Sequence, residues 1–292
     1  MQKRNVLNSA RLLKFKKQRR KVAFKKFSWY LLLFLAVFAL VVYLSHLKRL
    51  NISDIEITGN KIVNTDAIKA TVQEQIGGKY LGLFPKTNIL FYPENSIKNA
   101  LQNKFARLED INLSIKNDKT LAISLTERTA KYTWCGNAPT VGVPQSGGTS
   151  DVGCYFMDEN GYIFDEAPYF SGEVYFKFYG ETSAATPLGS YYSKQNFQQL
   201  LSFKDGLVTF GLKPVALYIT YDGEIKFILS GGTATTLGPE IILNNDSDFQ
   251  KVAENLETAL TTEPLQTEFK NKYSALQYID LRFGNKVYYK FQ

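Results

Sequence analysis

Few residues in this 292-residue chain have the type and spacing to do chemistry. The single histidine, His46, closes an apolar run, too near a membrane exit to serve a Ser-His-Asp relay. Ser230-Gly231-Gly232 lacks the Lys-Ser/Thr that would complete a phosphate-binding loop. Asp158-Glu159 is an acidic pair, but it falls in a turn sequence, where solvation accounts for it. A Ser-Lys dyad is left open only because both residue types are common. Two cysteines and one histidine do not make a zinc site of known spacing. The chain is therefore expected to be no enzyme, with no catalytic residue, cofactor or metal. Cys135 and Cys154 flank GNAPTVGVPQSGGTSDVG, whose Gly, Pro, Ser and Thr content reads as a surface loop. An oxidising compartment permits a disulfide that would close this loop; two free thiols are the alternative.

The charge distribution places those residues. The formal charge of +8 is concentrated at one end. Residues 1–27 hold eleven basic side chains (Lys3, Arg4, Arg11, Lys14, Lys16, Lys17, Arg19, Arg20, Lys21, Lys25 and Lys26) and no acid. The other 265 residues keep 24 basic and 27 acidic groups, a net of −3. That excludes a uniformly basic nucleic-acid-binding domain. Phe15 and Phe24 interleave with the tail charges, yet a topology signal resting on anionic lipid is the simpler reading, and no nucleic-acid partner is expected.

Phe27–Leu47 carries no formal charge. Its 21 residues, at about 1.5 Å each, match a hydrocarbon core of roughly 30 Å. Trp29, Tyr30 and Tyr43 sit near its ends, where amphipathic rings prefer the interface. The run is longer than a signal-peptide core, and LSHLKRL offers no small-x-small cleavage site. We expect a basic cytoplasmic tail at 1–26, a transmembrane helix at 27–47 and an extracytoplasmic remainder.

Two α+β modules follow. In the first, at 50–127, Ile52, Ile55 and Ile57 predict a strand closed by Thr58-Gly59-Asn60. Asn64–Ile76 predicts a helix capped by Asn64 or Thr65 and stopped at Gly77-Gly78. Pro93 opens a second helix with Ile97, Ala100, Leu101 and Phe105 on one face. The alternations Ile111-Leu113-Ile115 and Leu121-Ile123-Leu125 predict a hairpin turned at Asn117-Asp118. The order is β-α-α-β-β. In the second module, at 128–292, strands are expected at 131–134, 155–157, 162–164, 174–178, 215–220, 224–229, 276–282 and 286–291, with helices at 193–204 and 248–262. This predicts a mainly antiparallel sheet with helices packed on it.

The ordered set resembles the bacterial cell-division family FtsQ, also called DivIB. ISDIEITGNKIVNTDAI is similar to the opening of that family's POTRA (polypeptide-transport-associated) domain. LAISLTERTAKYTW resembles its junction with the second domain, YFMDENGYIF a strand-turn-strand, and YIDLRFGNKVYYKF the terminal hairpin. Nearly the whole chain is covered. Thr129 and Ala130 stand where the family usually has Pro, and 136–153 and 180–192 are insertions. The resemblance implies a non-catalytic divisome scaffold in the plasma (inner) membrane, enriched at the septum, with FtsB-like, FtsL-like and other divisome partners. It implies that a strand of the FtsB-like partner adds to the last strand. The matching residues are Arg282, Phe283, Lys286, Val287, Tyr288, Tyr289, Lys290 and Phe291. It further implies a recruitment surface near the membrane, at Ile52, Asp54, Glu56 and Asn60. A POTRA-type chaperone or transport component is the alternative, followed by an anchored exported hydrolase. One module without a barrel pattern argues against the former.

Overall fold

A long apolar helix opens the structure, a computed structural model that describes residues 10–136, 138–139, 153–168, 170, 173–182, 186–193, 196–232 and 237–292. Lys3 and Arg4, and most of the 136–153 insertion, lie outside these residues. Helix α1 is Ala10–Ser45, and within it Arg19–Ser45 is long and apolar enough to cross a membrane. Among its described apolar side chains, Trp29, Leu32 and Phe34 are all exposed. The helix stops two residues before the apolar run does. Its last carbonyl, of Ser45, accepts from the side-chain amides of Asn51 and Asn88, each at 3.0 Å.

The chain divides into two units, residues 1–101 with 110–125 and residues 102–109 with 126–292. After α1 the first unit runs β1 (Asp54–Thr58), α2 (Thr65–Ile76), β2 (Lys79–Tyr80), β3 (Phe84–Pro85), α3 (Glu94–Lys104, whose last three residues fall in the second unit), β4 (Asn112–Lys116) and β5 (Thr120–Ser124). The sheet order is β1-β5-β4, with β1 parallel and β4 antiparallel to β5. Asn64 caps α2 as its sequence predicts, accepting from the N–H groups of Asp66 (2.7 Å) and Ala67. Ile68, Val72, Ile97, Leu101, Leu121 and Ile123 are buried, so each helix stripe and the central strand supply core. Asn117 and Asp118 both take positive φ, 50° and 57°, as the primed hairpin turn requires. Gly59 is obligatory: a Cβ there would stand 1.8 Å from the Leu125 carbonyl oxygen. The small β2–β3 hairpin lies where the sequence suggests only a loop.

The second unit contains β6 (Tyr132–Trp134), β7 (Tyr155–Met157), β8 (Ile163–Glu166), β9 (Phe176–Tyr179), α4 (Phe197–Thr209), β10 (Pro214–Ile219), β11 (Glu224–Leu229), β12 (Glu240–Asn244), α5 (Phe249–Thr261), α6 (Leu265–Lys272), β13 (Leu276–Phe283) and β14 (Lys286–Phe291). The sheet has nine strands in the order β14-β13-β12-β11-β10-β9-β6-β7-β8. Three neighbouring pairs are parallel (β12–β13, β9–β10 and β6–β9) and the rest antiparallel, which makes the sheet mixed but mostly antiparallel. Helix α4 begins four residues later than the sequence pattern suggests and runs five further. Strand β12 and helix α6 do not stand out in the sequence.

One face of this sheet meets the helices. Alternate residues such as Phe178, Leu217, Phe227, Leu243 and Ile279 pack with Leu200, Phe203 and Leu256 in a single apolar cluster. Polar atoms drawn into it are satisfied: Trp134 Nε1 donates to Gly180 O (2.9 Å) and Tyr192 Oη to Tyr179 O (2.8 Å). Burial pushes the Tyr192 phenol well above its ordinary pKa. Residues 102–109 join this unit because the Glu109 N–H donates to Thr126 O and the Arg128 N–H to Arg107 O, while the Arg107 guanidinium pairs with Asp165. Leu256, fully buried in α5, should cost about 2–5 kcal/mol of stability when changed to Ala. Tyr221→Ala, at a position 92% exposed, should change it by less than about 0.5 kcal/mol in the same urea titration of the detergent-solubilised chain.

Candidate interaction edge

The C-terminal hairpin is built by alternation. β13 and β14 pair antiparallel with Tyr278 opposite Lys290, Ile279 opposite Tyr289 and Asp280 opposite Tyr288. Gly284, at φ 65°, makes the turn. Because side chains alternate across a strand, Val287, Tyr289 and Phe291 fall on the core side and pack against the apolar cluster. Lys286, Tyr288 and Lys290 are exposed. Phe283 is exposed too, and its ring meets Tyr288 edge-on at 5.2 Å. The eight residues singled out in the sequence thus form one hairpin, with two aromatic rings and two lysines on its open side.

Arg282 is engaged within the chain. Its Nε donates to Asp280 Oδ1 (2.9 Å) and a terminal nitrogen donates to Asp280 Oδ2 (2.6 Å), a bidentate pair. Its other terminal nitrogen pairs with Glu224, which lies two strands away on β11. Burial alone would push the Asp280 carboxyl up. The hydrogen bonds from the Arg282 side chain and backbone, with its charge, more than offset this and hold the carboxyl below its ordinary value. The hydrogen bond to Asp280, with the surrounding acidic charge, holds the guanidinium proton still more firmly than usual. A partner carboxylate seeking Arg282 must therefore compete with two already in place.

The two ends of the nine-stranded sheet differ. At β8 the outer side is covered: the Ile163 N–H donates to Ser190 O and the Gly189 N–H to Ile163 O, both at 2.9 Å or less. At the other end, among the described residues, β14 has only β13 as a strand neighbour. An uncovered edge offers a row of backbone donors and acceptors to an incoming strand.

The remaining candidate residues are placed as follows. Asp54 and Glu56 are exposed on β1, an edge of the three-stranded sheet, where Glu56 pairs with Lys116 at 3.0 Å. Asn60 uses its amide locally, donating to Val63 O and Thr65 Oγ1. Ile52 is buried and offers no surface of its own. Cys135 and Cys154 are joined by a disulfide between β6 and the start of β7. The Asp280–Arg282–Glu224 set is absent from the sequence reading, although Asp280 and Arg282, two apart on a strand, must share a face. Glu224 has no sequence signal. No family model matches the chain, and no curated protein matches it.

Asp280→Asn should cost about 1.5–3 kcal/mol near neutral pH, since it removes a charged partner from a part-buried pair. A carboxyl whose folded pKa is lowered contributes stability above its ordinary value of 3.8 and loses it as pH falls through the lower folded value. The stability gap between the native chain and Asp280→Asn should therefore hold at pH 5–7 and close below about pH 3.8. A gap that stays constant to pH 2 would remove the pair from the account.

Proposed function

We propose that this protein is a non-catalytic, membrane-anchored scaffold of bacterial cell division, of the FtsQ/DivIB type. In this reading α1 crosses the plasma membrane with its basic end in the cytoplasm, and the first unit after the helix is a POTRA domain. The C-terminal sheet takes an FtsB-like partner, and with it an FtsL-like one, by strand addition on β14 at the septum. The open outer side of β14 carries the reading. Among the described residues it is the end of the large sheet without a covering segment, and it bears exposed aromatic and basic side chains.

Strand addition divides the work of binding. Backbone hydrogen bonds supply attraction that any extended segment shares. Selectivity comes from alternate side chains. Lys286 and Lys290 stand four residues apart on one face with Tyr288 between them. They discourage pairing of this edge with its own copy, whose lysines would meet them, and favour a strand with carboxylates at matching spacing. The Phe283–Tyr288 ring pair gives an apolar ledge beside them.

A fluorescent fusion of the full chain should gather at midcell, and a uniform envelope signal would refute the division role. Lys290→Glu and Tyr288→Pro change exposed side chains of β14. Each should weaken capture of the FtsB counterpart about tenfold or more, a loss of ~1.4 kcal/mol or more. Capture at the native level by both variants would sink the β14 assignment.

A further inference from the structure

Between α2 and α3 the first unit displays Leu81, Leu83, Leu90 and Phe91, all exposed, with Leu81 93% open. Leu81 also sits at φ 49° beside Gly82 at φ 72°, a turn position that favours Asn or Gly and gives a bulky side chain no advantage in water. This segment is fixed to the end of α1. Asn88, buried, donates to Ser45 O at 3.0 Å, and the Ile89 N–H donates to Leu50 O at 2.9 Å. Its rings turn back along the helix: Phe84 meets Phe38 at 6.0 Å and Phe91 at 6.0 Å. Phe38 is seven residues before Ser45, about 10 Å along a helix rising about 1.5 Å per residue. The rings border an apolar groove of about 620 Å³ against Phe34, Phe38 and Val41, room for an acyl chain.

The geometry points to a second membrane contact: the segment from Tyr80 to Phe91 inserts into the outer leaflet beside α1, with acyl chains as its ligand. This rests on the reading of α1 as a membrane span. Two further features fit hydrocarbon. Backbone groups at that depth need partners inside the protein. Here the N–H groups of Leu83, Lys86, Asn88, Ile89 and Phe91 donate to protein carbonyls, and that of Leu90 to Asn88 Oδ1. The charges sit where headgroups would be. Lys79 is at the base of the hairpin, Lys86 lies against the Tyr80 ring at 5.7 Å, and Lys48 and Arg49 follow the helix. Leucines lead into the apolar phase and lysines stay at its border.

The test uses the full chain in phosphatidylcholine–phosphatidylglycerol vesicles, with single cysteines carrying an environment-sensitive label. The native cysteines are bridged and do not label. Leu81→Cys and Leu90→Cys report the segment, Leu33→Cys the span and Tyr221→Cys the water; all four side chains are exposed, so no core is disturbed. Labels at 81 and 90 should be quenched by acyl-chain nitroxides and show several-fold weaker iodide quenching than the label at 221. If 33 is shielded while 81 and 90 are as open to iodide as 221, insertion is refuted and the span stands. If 33 is open as well, the span reading falls and insertion falls with it.

Discussion

Each backbone N–H and C=O in this chain must find a partner, and where it finds one decides what each part is for. Helix α1 satisfies all but its ends internally, which suits it to a medium without water. Its C-terminal end is finished by side chains, Asn51 and Asn88, that belong to the folded module rather than the helix. The small sheet shares its groups among β1, β5 and β4. In the large sheet one end strand, β8, gives its outer groups to the 189–190 segment, and β14 gives its own to no other strand among the described residues. That asymmetry sets the two ends of the large sheet apart.

The same edge is stiffened from behind. Val287, Tyr289 and Phe291 anchor β14 in the apolar cluster. Arg282, held in place by Asp280 on its own strand, ties β13 to β11 across β12 through Glu224. In the proposed strand addition the templating strand must not fray, because an incoming segment has its own ordering entropy to offset. The parallel pairing of β12 with β13 is needed for this. It returns the chain to the sheet one strand inside the edge, so that the final hairpin becomes the rim.

Much of this order can be read from residue spacing. The span, the cap at Asn64, the Asn117-Asp118 turn and the alternation of β14 all rest on local rules, and local rules are visible in a sequence. Strand β12 has no such signal because Ile241-Ile242-Leu243 is a short apolar run without alternation, as befits a central strand. Helix α6 buries only Leu265 and so carries no stripe. The β2–β3 hairpin has no Asn-Gly signal, since Leu81 occupies the left-handed position. Arg282 is singled out by the resemblance as a charge on the strand before the last. Its commitment to Glu224, 58 residues earlier in the chain, depends on strand order and has no local trace.

The disulfide between Cys135 and Cys154 fixes both ends of the segment that separates β6 from β7. Strand pairing holds the same two ends a second time, through Tyr132–Met157 and Trp134–Tyr155. With its ends clamped twice, the connection is free to vary in length. Doubling the length of a closed loop costs only about 0.6 kcal/mol of closure entropy. The region between the cysteines is thus a natural port for variation. An epitope can be grafted there without disturbing the register of the sheet that ends in β14.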